Sequence, residues 1–248
     1  MAAYATLETA ARALPGPKPT TLFSKPPAAG FTPKSIAGCQ LWFDASNAGS
    51  VSLSGSTVTQ WGDLSGNANN ATIPGGYTGP TLTTGNAPSG LNSILFGSGQ
   101  VLGLANSINV DAAYTCAAVI SPNAGGSVEV IGDRINNFGT GLLEWYIGAA
   151  IYFFNSSSEI YAAKVGSGFH QITTTLTGST AQIFYDSASV TPGVFGAALP
   201  ATTINTIGLS DSSYSNGYFC EFAVYNTVIS GANITNLYNY FKAKWGTP

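Results

Sequence analysis

The chain has 11 carboxylates and a single histidine among 248 residues, which narrows the chemistry it can perform. Glycoside hydrolysis needs two carboxyl groups at a set separation across a sugar-sized cleft. Glu129 and Asp133, in the run EVIGD, come nearest to such a pair, but Gly132-Asp133-Arg134 reads as a turn with a local ion pair. Glu144 beside Trp145 suits either an acid or a solvated position between packed aromatics on a hairpin. His170 sits among Phe169 and Ile172 in a strand-like run, with no G-x-S-x-G elbow before it, so a structural histidine satisfied by its neighbours is expected. Glu221, crowded in sequence by Phe219 and Phe222, must find donors if it is buried; they would come from a loop or helix packed nearby, or it would brace an ion. With no defensible acid pair, the expectation is that the chain is not an enzyme.

Binding chemistry is easier to read. Trp61 to Thr72, WGDLSGNANNAT, puts an aromatic anchor, one carboxylate and a Gly/Asn/Ser turn in one stretch. Asp63, Ser65 and Asn67 can each bond nearby backbone amides, which predicts a long loop of fixed shape pinned by Trp61. An Asx-rich turn needs no further role. The functional alternative is an oxygen-rich loop facing a sugar or a calcium ion, with Asp63 and Asn67 as the metal candidates; one carboxylate leaves such a site short of charge. Trp42, Tyr77, Trp145, Tyr146 and Tyr214 could stack on sugar rings, although Trp and Tyr equally serve as core anchors. Tyr214 lies in the polar turn SDSSYSN; with Asp211, and with Trp145, it makes up the glycan-binding candidates.

Composition sets outer bounds. Eight Lys+Arg against 11 Asp+Glu, a net charge of -3 and 44% hydrophobic residues leave no cationic footprint for nucleic acid. No stretch reaches bilayer-spanning length. The first residues carry Glu8 and Arg12 inside a weak apolar pattern, unlike an ordinary signal peptide. Cys39, Cys116 and Cys220 lie in apolar runs and are expected as buried thiols; a Cys39–Cys220 disulfide would require the first and last strands to be neighbours. Asn70, Asn155 and Asn233 open N-x-S/T sequons, relevant only in a glycosylating compartment.

The elements that must position these groups fall into an arm, residues 1–36, and a body, residues 37–248. Tyr4, Leu7 and Leu14 could form one stripe of a short helix at 3–14, ended by Pro15. The Pro-rich stretch to Pro33 then predicts an extended arm. Its apolar side chains, Leu22, Phe23 and Phe31 with Tyr4, Leu7 and Leu14, lack a face of their own and are expected to dock on something other than the chain's own body. From Cys39 onward, more than a dozen short β-prone runs alternate with turn residues. Leu41 and Phe43 oppose Trp42 in the first strand, and Tyr114 to Ile120 reads as a central strand covered on both faces. Val128 to Ile131 reads as a strand, Leu142 to Phe154 as a hairpin, and Phe169 to Asp186 as the clearest hairpin. Ile234, Leu237, Tyr238, Phe241 and Trp245 recur at helical spacing, with Gly246 as the stop. The fold class expected is all-β: a two-sheet antiparallel jelly-roll sandwich with a C-terminal helix and an extended N-terminal arm.

The order of motifs resembles the concanavalin A-like lectin/glucanase superfamily, specifically the laminin-G-like jelly rolls common in phage, large-virus and bacterial surface proteins. The resemblance rests on the opening QLWFDAS, on Trp61, Asp63, Ser65, Gly66, Asn67 and Asn69 in the W-x-D-x-S-G-N-x-N loop, and on the Phe169-His170 and Tyr185-Asp186 strand ends. It also rests on Gly217, Glu221 and Tyr225 in GYFCEFAVYN and on the tail ITNLYNYFKAKWG. It spans roughly residues 37–246. The glucanases of that superfamily place acids together as E-x-D-x-x-E, a motif absent here. The resemblance, the low charge and the arm together lead to the expectation of a structural component of a virus particle. On that expectation the chain is held to other capsid proteins by the arm, assembled in the host cell interior, and carried without a cofactor. The alternative is a carbohydrate-binding, lectin-like module meeting surface glycans, and the remote alternative a glycoside hydrolase.

Overall fold

The computed structural model describes residues 30–110, 113–123, 128, 130–132, 151–155, 158–162, 168–186, 188–194, 202–210 and 213–248. Glu129, Asp133, Glu144, Trp145, Tyr146 and Asp211 lie outside them, as do the helix expected at 3–14 and every arm anchor except Phe31.

After a short 3-10 turn at Pro33–Ser35 the strands are β1 (Cys39–Asp44), β2 (Val51–Ser54), β3 (Thr57–Trp61), β4 (Ala71–Thr72), β5 (Thr81–Thr83), β6 (Ser93–Phe96), β7 (Leu102–Val110) and β8 (Ala113–Pro122). They continue as β9 (Ile151–Asn155), β10 (Ser158–Ala162), β11 (His170–Thr177), β12 (Thr180–Tyr185), β13 (Ala188–Val194), β14 (Thr202–Ile207), β15 (Leu209–Ser210), β16 (Ser213–Tyr214) and β17 (Gly217–Tyr225), and α1 (Gly231–Trp245) closes the chain. All the strand pairs are antiparallel. One curled sheet runs β13-β12-β11-β8-β17-β6-β5-β3-β4-β7-β14, with β1 added on β17 and β2 on β3. Its two halves face each other as in a jelly-roll sandwich, so the expected all-β architecture stands, built as one continuous curl rather than two separate sheets.

Strand β17 is the hinge of that curl. One edge pairs with β8 along its length; the other pairs with β6 through Gly217 to Phe219 and then with β1 from Glu221 onward. Central strand β8 is buried on both faces, as its apolar run predicts. Cys116, Ala118 and Ile120 enter the sandwich core with Leu41, Phe43, Trp61 and Phe222, while Ala117 and Val119 enter a second cluster under the helix. Helix α1 covers that outer face with Ile234, Leu237, Phe241 and Trp245. Each such buried side chain contributes roughly 1.5–3 kcal/mol of transfer free energy. Tyr238, expected in the stripe, is only half-buried. Ser230 caps the start of α1 by accepting from the Asn233 amide, and Gly246 ends it at φ 69°, where any other residue would be strained.

Other expectations shift. Val128, Val130 and Ile131 are fully buried but irregular rather than a strand; among the described residues a bridge from Gly132 to Thr206 joins this run to the sheet. Ile151 to Asn155 pairs with β10, while the first strand of the hairpin expected around Gly148 lies outside the described residues. Cys116 and Cys220 are buried thiols, but Cys39 is half-buried, and all three are free. Cys39 is in register with Tyr225, at the far end of the β1–β17 pair from Cys220, which rules out the bridge. Phe31, expected to dock elsewhere, packs edge-on against Tyr240 of the chain's own helix, with ring centroids 5.9 Å apart. The reason is the Pro33–Ser35 turn: Tyr225 Oη donates to the Pro33 carbonyl at 3.0 Å, which fastens this segment to the helix-bearing face.

Candidate functional site

The Asn-rich loop after β3 is built around Asp63. Its Oδ1 accepts from the Trp42 and Ser65 amides at 3.1 and 2.9 Å, and its Oδ2 from the Ser65 hydroxyl and the Asn69 amide at 2.8 and 3.1 Å. Both oxygens are thus filled by local donors. Asn67 turns its amide nitrogen to the Cys39 and Gln40 carbonyls at 3.1 and 2.9 Å. The calcium candidates Asp63 and Asn67 therefore hold the loop: a cation would have to displace the donors that give the carboxylate its orientation. Among the described residues no cluster of three or more His, Cys, Asp or Glu groups could hold a metal.

The loop's target is a bulge in β1. Between Cys39 and Leu41 the register against β17 slips, and the Gln40 carbonyl turns toward Asn67 and the Ser65 hydroxyl. Leu64 N–H then bonds the Trp42 carbonyl at 2.8 Å, so the loop covers the free edge of β1 as a strand would.

From the far end of the loop, Asn69 grips a second bulge. Between Ile204 and Thr206 strand β14 moves on by two residues while β7 moves from Ile108 to Gly103, leaving Leu104 to Ser107 without partners on β14, and Leu104 pairs with Ala71 of β4 instead. Asn69 clasps this bulged segment as a strand partner would: Asn106 N–H donates to Asn69 Oδ1 at 2.7 Å, and Asn69 Nδ2 donates to the Asn106 carbonyl at 2.8 Å. Ala105 N–H adds a bond to the Asn70 carbonyl at 2.9 Å.

The two bulges and the loop flank an open cavity of about 440 Å³, lined by Gln40, Asn67, Asn69, Asn106, Ser107, Ile108, Asn109 and Asn226. The side chains of Asn106, Ser107, Asn109 and Asn226 make no hydrogen bond within the described structure, whereas the Asn69 amide bonds the bulge through both Oδ1 and Nδ2. No charged side chain lines this cavity among the described residues. An amide offers donors and an acceptor on one planar group, and a hydroxyl offers both on one atom, so the cavity presents neutral groups of both kinds to a ligand. Asn106, Ser107, Asn109 and Asn226 were not among the sequence candidates. The run Asn106-Ser107-Ile108-Asn109 was visible, but nothing local reveals a bulge whose partner is Asn69.

Of the glycan-binding candidates, Tyr214 is described. It is exposed, and its ring lies 6.4 Å from that of Tyr77, another residue singled out for stacking. Trp42 is half-buried against the cluster under the helix, and its Nε1 donates to Glu221.

Glu221 is fully buried beneath α1. Its Oε1 accepts from Trp42 Nε1 and Tyr240 Oη at 2.7 and 2.9 Å, and its Oε2 from Lys244 Nζ and Trp245 Nε1, both at 2.7 Å. Burial, with the neighbouring Asp44 charge, pushes its carboxyl up to about 6 against the pull of Lys244 and the donors. A bulge in β17 places it there. Between Phe219 and Glu221 the chain advances two residues against one of β8, so Cys220 and Glu221 both face the helix while Phe219 and Phe222 both face the sandwich core. The expected crowding by Phe219 and Phe222 is replaced by Trp42, Tyr240 and Trp245. Asp44 joins through Lys244 and also accepts from the Ser46 amide and hydroxyl. His170 Nδ1 contacts Asp186, whose other oxygen accepts from the Gln171 amide at 2.9 Å and ties the ends of β11 and β12.

No protein-family model matches this chain, and no curated protein does. Similar solved structures share its fold at low identity. Domain 4 of AbnA, a GH43 extracellular arabinanase from Geobacillus stearothermophilus, in complex with arabinotriose, matches at TM-score 0.59 and 13% identity over 80% of this chain and 97% of its own. The binding domain of Paraclostridial Mosquitocidal Protein 1 matches at 0.59 and 11%, over 88% of this chain. The binding domain of Botulinum Neurotoxin DC in complex with SialylT matches at 0.58 and 12%, over 87%. The chain spans only 56% and 55% of these two toxin domains. At these identities the likeness is one of fold: a β-sandwich of the jelly-roll kind.

Proposed function

We propose that this chain is a carbohydrate-binding, lectin-like module whose site is the amide-lined cavity between the Asn loop and the β7 bulge. The observation that carries the reading is the set of neutral side chains, Asn106, Ser107, Asn109 and Asn226, gathered around one cavity on a braced backbone and left without internal partners. Sugar hydroxyls match such groups, and a braced loop spares the ordering cost of binding. Solved domains of this fold in complex with arabinotriose and with SialylT support the reading. They favour it over the particle-component reading, whose proposed anchor is the arm.

A non-catalytic role fits the carboxylates. Asp44, Asp63, Asp186 and Glu221 all engage donors of the fold, and none lines the cavity. The test is a screen of the full chain against an immobilised glycan panel, followed by calorimetry on the hits with Asn106→Ala and Asn109→Ala. Both side chains are exposed and unbonded, so the melting temperature should stay within about 1–2 °C of the parent, as for surface changes within ±0.5 kcal/mol, while affinity falls roughly tenfold or more. A chain that binds no carbohydrate, or variants that bind as tightly as the parent, would overturn the proposal.

A further inference from the structure

A second cavity, of about 580 Å³, adjoins the first, and Ser107 lines both. Its walls differ in character. Pro74, Leu104 and Ala105 supply apolar surface, and beside the shared Ser107 its polar member Thr206 is committed to the fold, Oγ1 donating to the Gly132 and Leu209 carbonyls at 3.1 Å each. The bulge of β7 is therefore a ridge with hydrogen-bonding amides on one side and an apolar wall on the other. Both volumes fall within the roughly 300–1,000 Å³ typical of ligand pockets.

We infer that the two cavities act as one groove over the Ser107 ridge and take an uncharged oligosaccharide of at least two sugar units. One unit bonds the amides, and the next lays its C–H face on Pro74 and Leu104. This rests on the carbohydrate reading above and adds length and charge to it. A sugar ring has both hydroxyl edges and apolar C–H faces, which these two walls match in turn. Charge follows from the lining: no described residue of either cavity carries one, and Lys34, whose ammonium lies against Gly66, lines neither. A carboxylated sugar would lose hydration there without gaining a cation.

The probes are linear neutral pentose and hexose oligosaccharides, from monosaccharide to hexasaccharide, with sialylated and uronate-bearing counterparts, titrated into the full chain. Affinity should rise roughly tenfold or more between the monosaccharide and the trisaccharide and then level off, and the acidic counterparts should bind at least roughly tenfold more weakly. Ala105 is exposed in the second cavity, and its amide bond to Asn70 does not involve the side chain. Ala105→Glu should therefore abolish the gain with length and leave monosaccharide affinity unchanged. Affinity independent of length, silence of Ala105→Glu, or tighter binding of the acidic sugars would overturn the groove while leaving the amide site in place. Absence of binding to every probe would overturn the carbohydrate reading and the groove together.

Discussion

Glu221 and Thr174, both fully buried polar residues, behave in opposite ways. Glu221 takes one donor from β1 and three from α1, so Glu221→Gln sets an amide nitrogen against Trp or Lys donors and should cost about 2–4 kcal/mol near neutral pH. The carboxyl is raised from 4.5 to about 6 on folding. Between those values the folded chain holds the proton that the unfolded chain has released, so this contribution is full below pH 4.5 and is lost as pH rises through 6. The stability of the parent relative to Glu221→Gln should thus decline by roughly 2 kcal/mol from pH 4 to 7, read from urea melts at each pH. A flat difference would show that the burial cost is cancelled by the donors. Thr174 faces the sandwich core between Ile172 and Leu176, and its hydroxyl is buried without a partner among the described residues. Thr174→Val keeps the shape and removes the unmet group, so it should raise stability by about 0.5–1.5 kcal/mol in the same assay.

At the level of elements, the sequence revealed strands and helix but not the bulges that aim the functional groups. Alternation placed Leu41 and Phe43 together and Trp42 opposite, the apolar run of β8 announced a doubly covered strand, and the 3–4 spacing marked α1; each is a local periodicity tied to burial. The slips at Gln40, at Leu104 to Ser107 and at Cys220 depend on what lies across the sheet, and no local pattern encodes them. The Asn loop was readable as a fixed turn, whereas the cavity it helps to form was not. Asn69 carries the test of this argument. Asn69→Ala leaves the Asn106 N–H and C=O without their clasp and should cost about 1–3 kcal/mol. Amide exchange should speed up at Asn106 and Ala105 well before the centre of β8, and carbohydrate affinity should fall with it. Unchanged protection at Asn106 would mean that the bulge holds its shape unaided.

For the molecule as a whole, the described body begins before the first strand. A chain starting at Gly30 keeps Phe31 on Tyr240 and the Pro33 carbonyl on Tyr225 Oη. A chain starting at Ile36 uncovers Tyr240 and buries the Tyr225 hydroxyl without its acceptor, so it should fold but lose about 1–3 kcal/mol. Equal melting temperatures for the two truncations would show that this segment rests on the body without supporting it.

The three cysteines provide native-state clocks. Cys116 sits in the sandwich core and Cys220 in the cluster under α1, each buried and with its thiol held protonated by that burial, while Cys39 is half-buried at the rim. Alkylation of a buried thiol waits for the layer above it to open, so the two inner cysteines time different events: lifting of the helix and parting of the two halves of the curled sheet. In the Glu221→Gln variant the Cys220 label should arrive earlier while the Cys116 label keeps its pace. Equal acceleration at both positions would mean that helix and sandwich come apart as one cooperative unit.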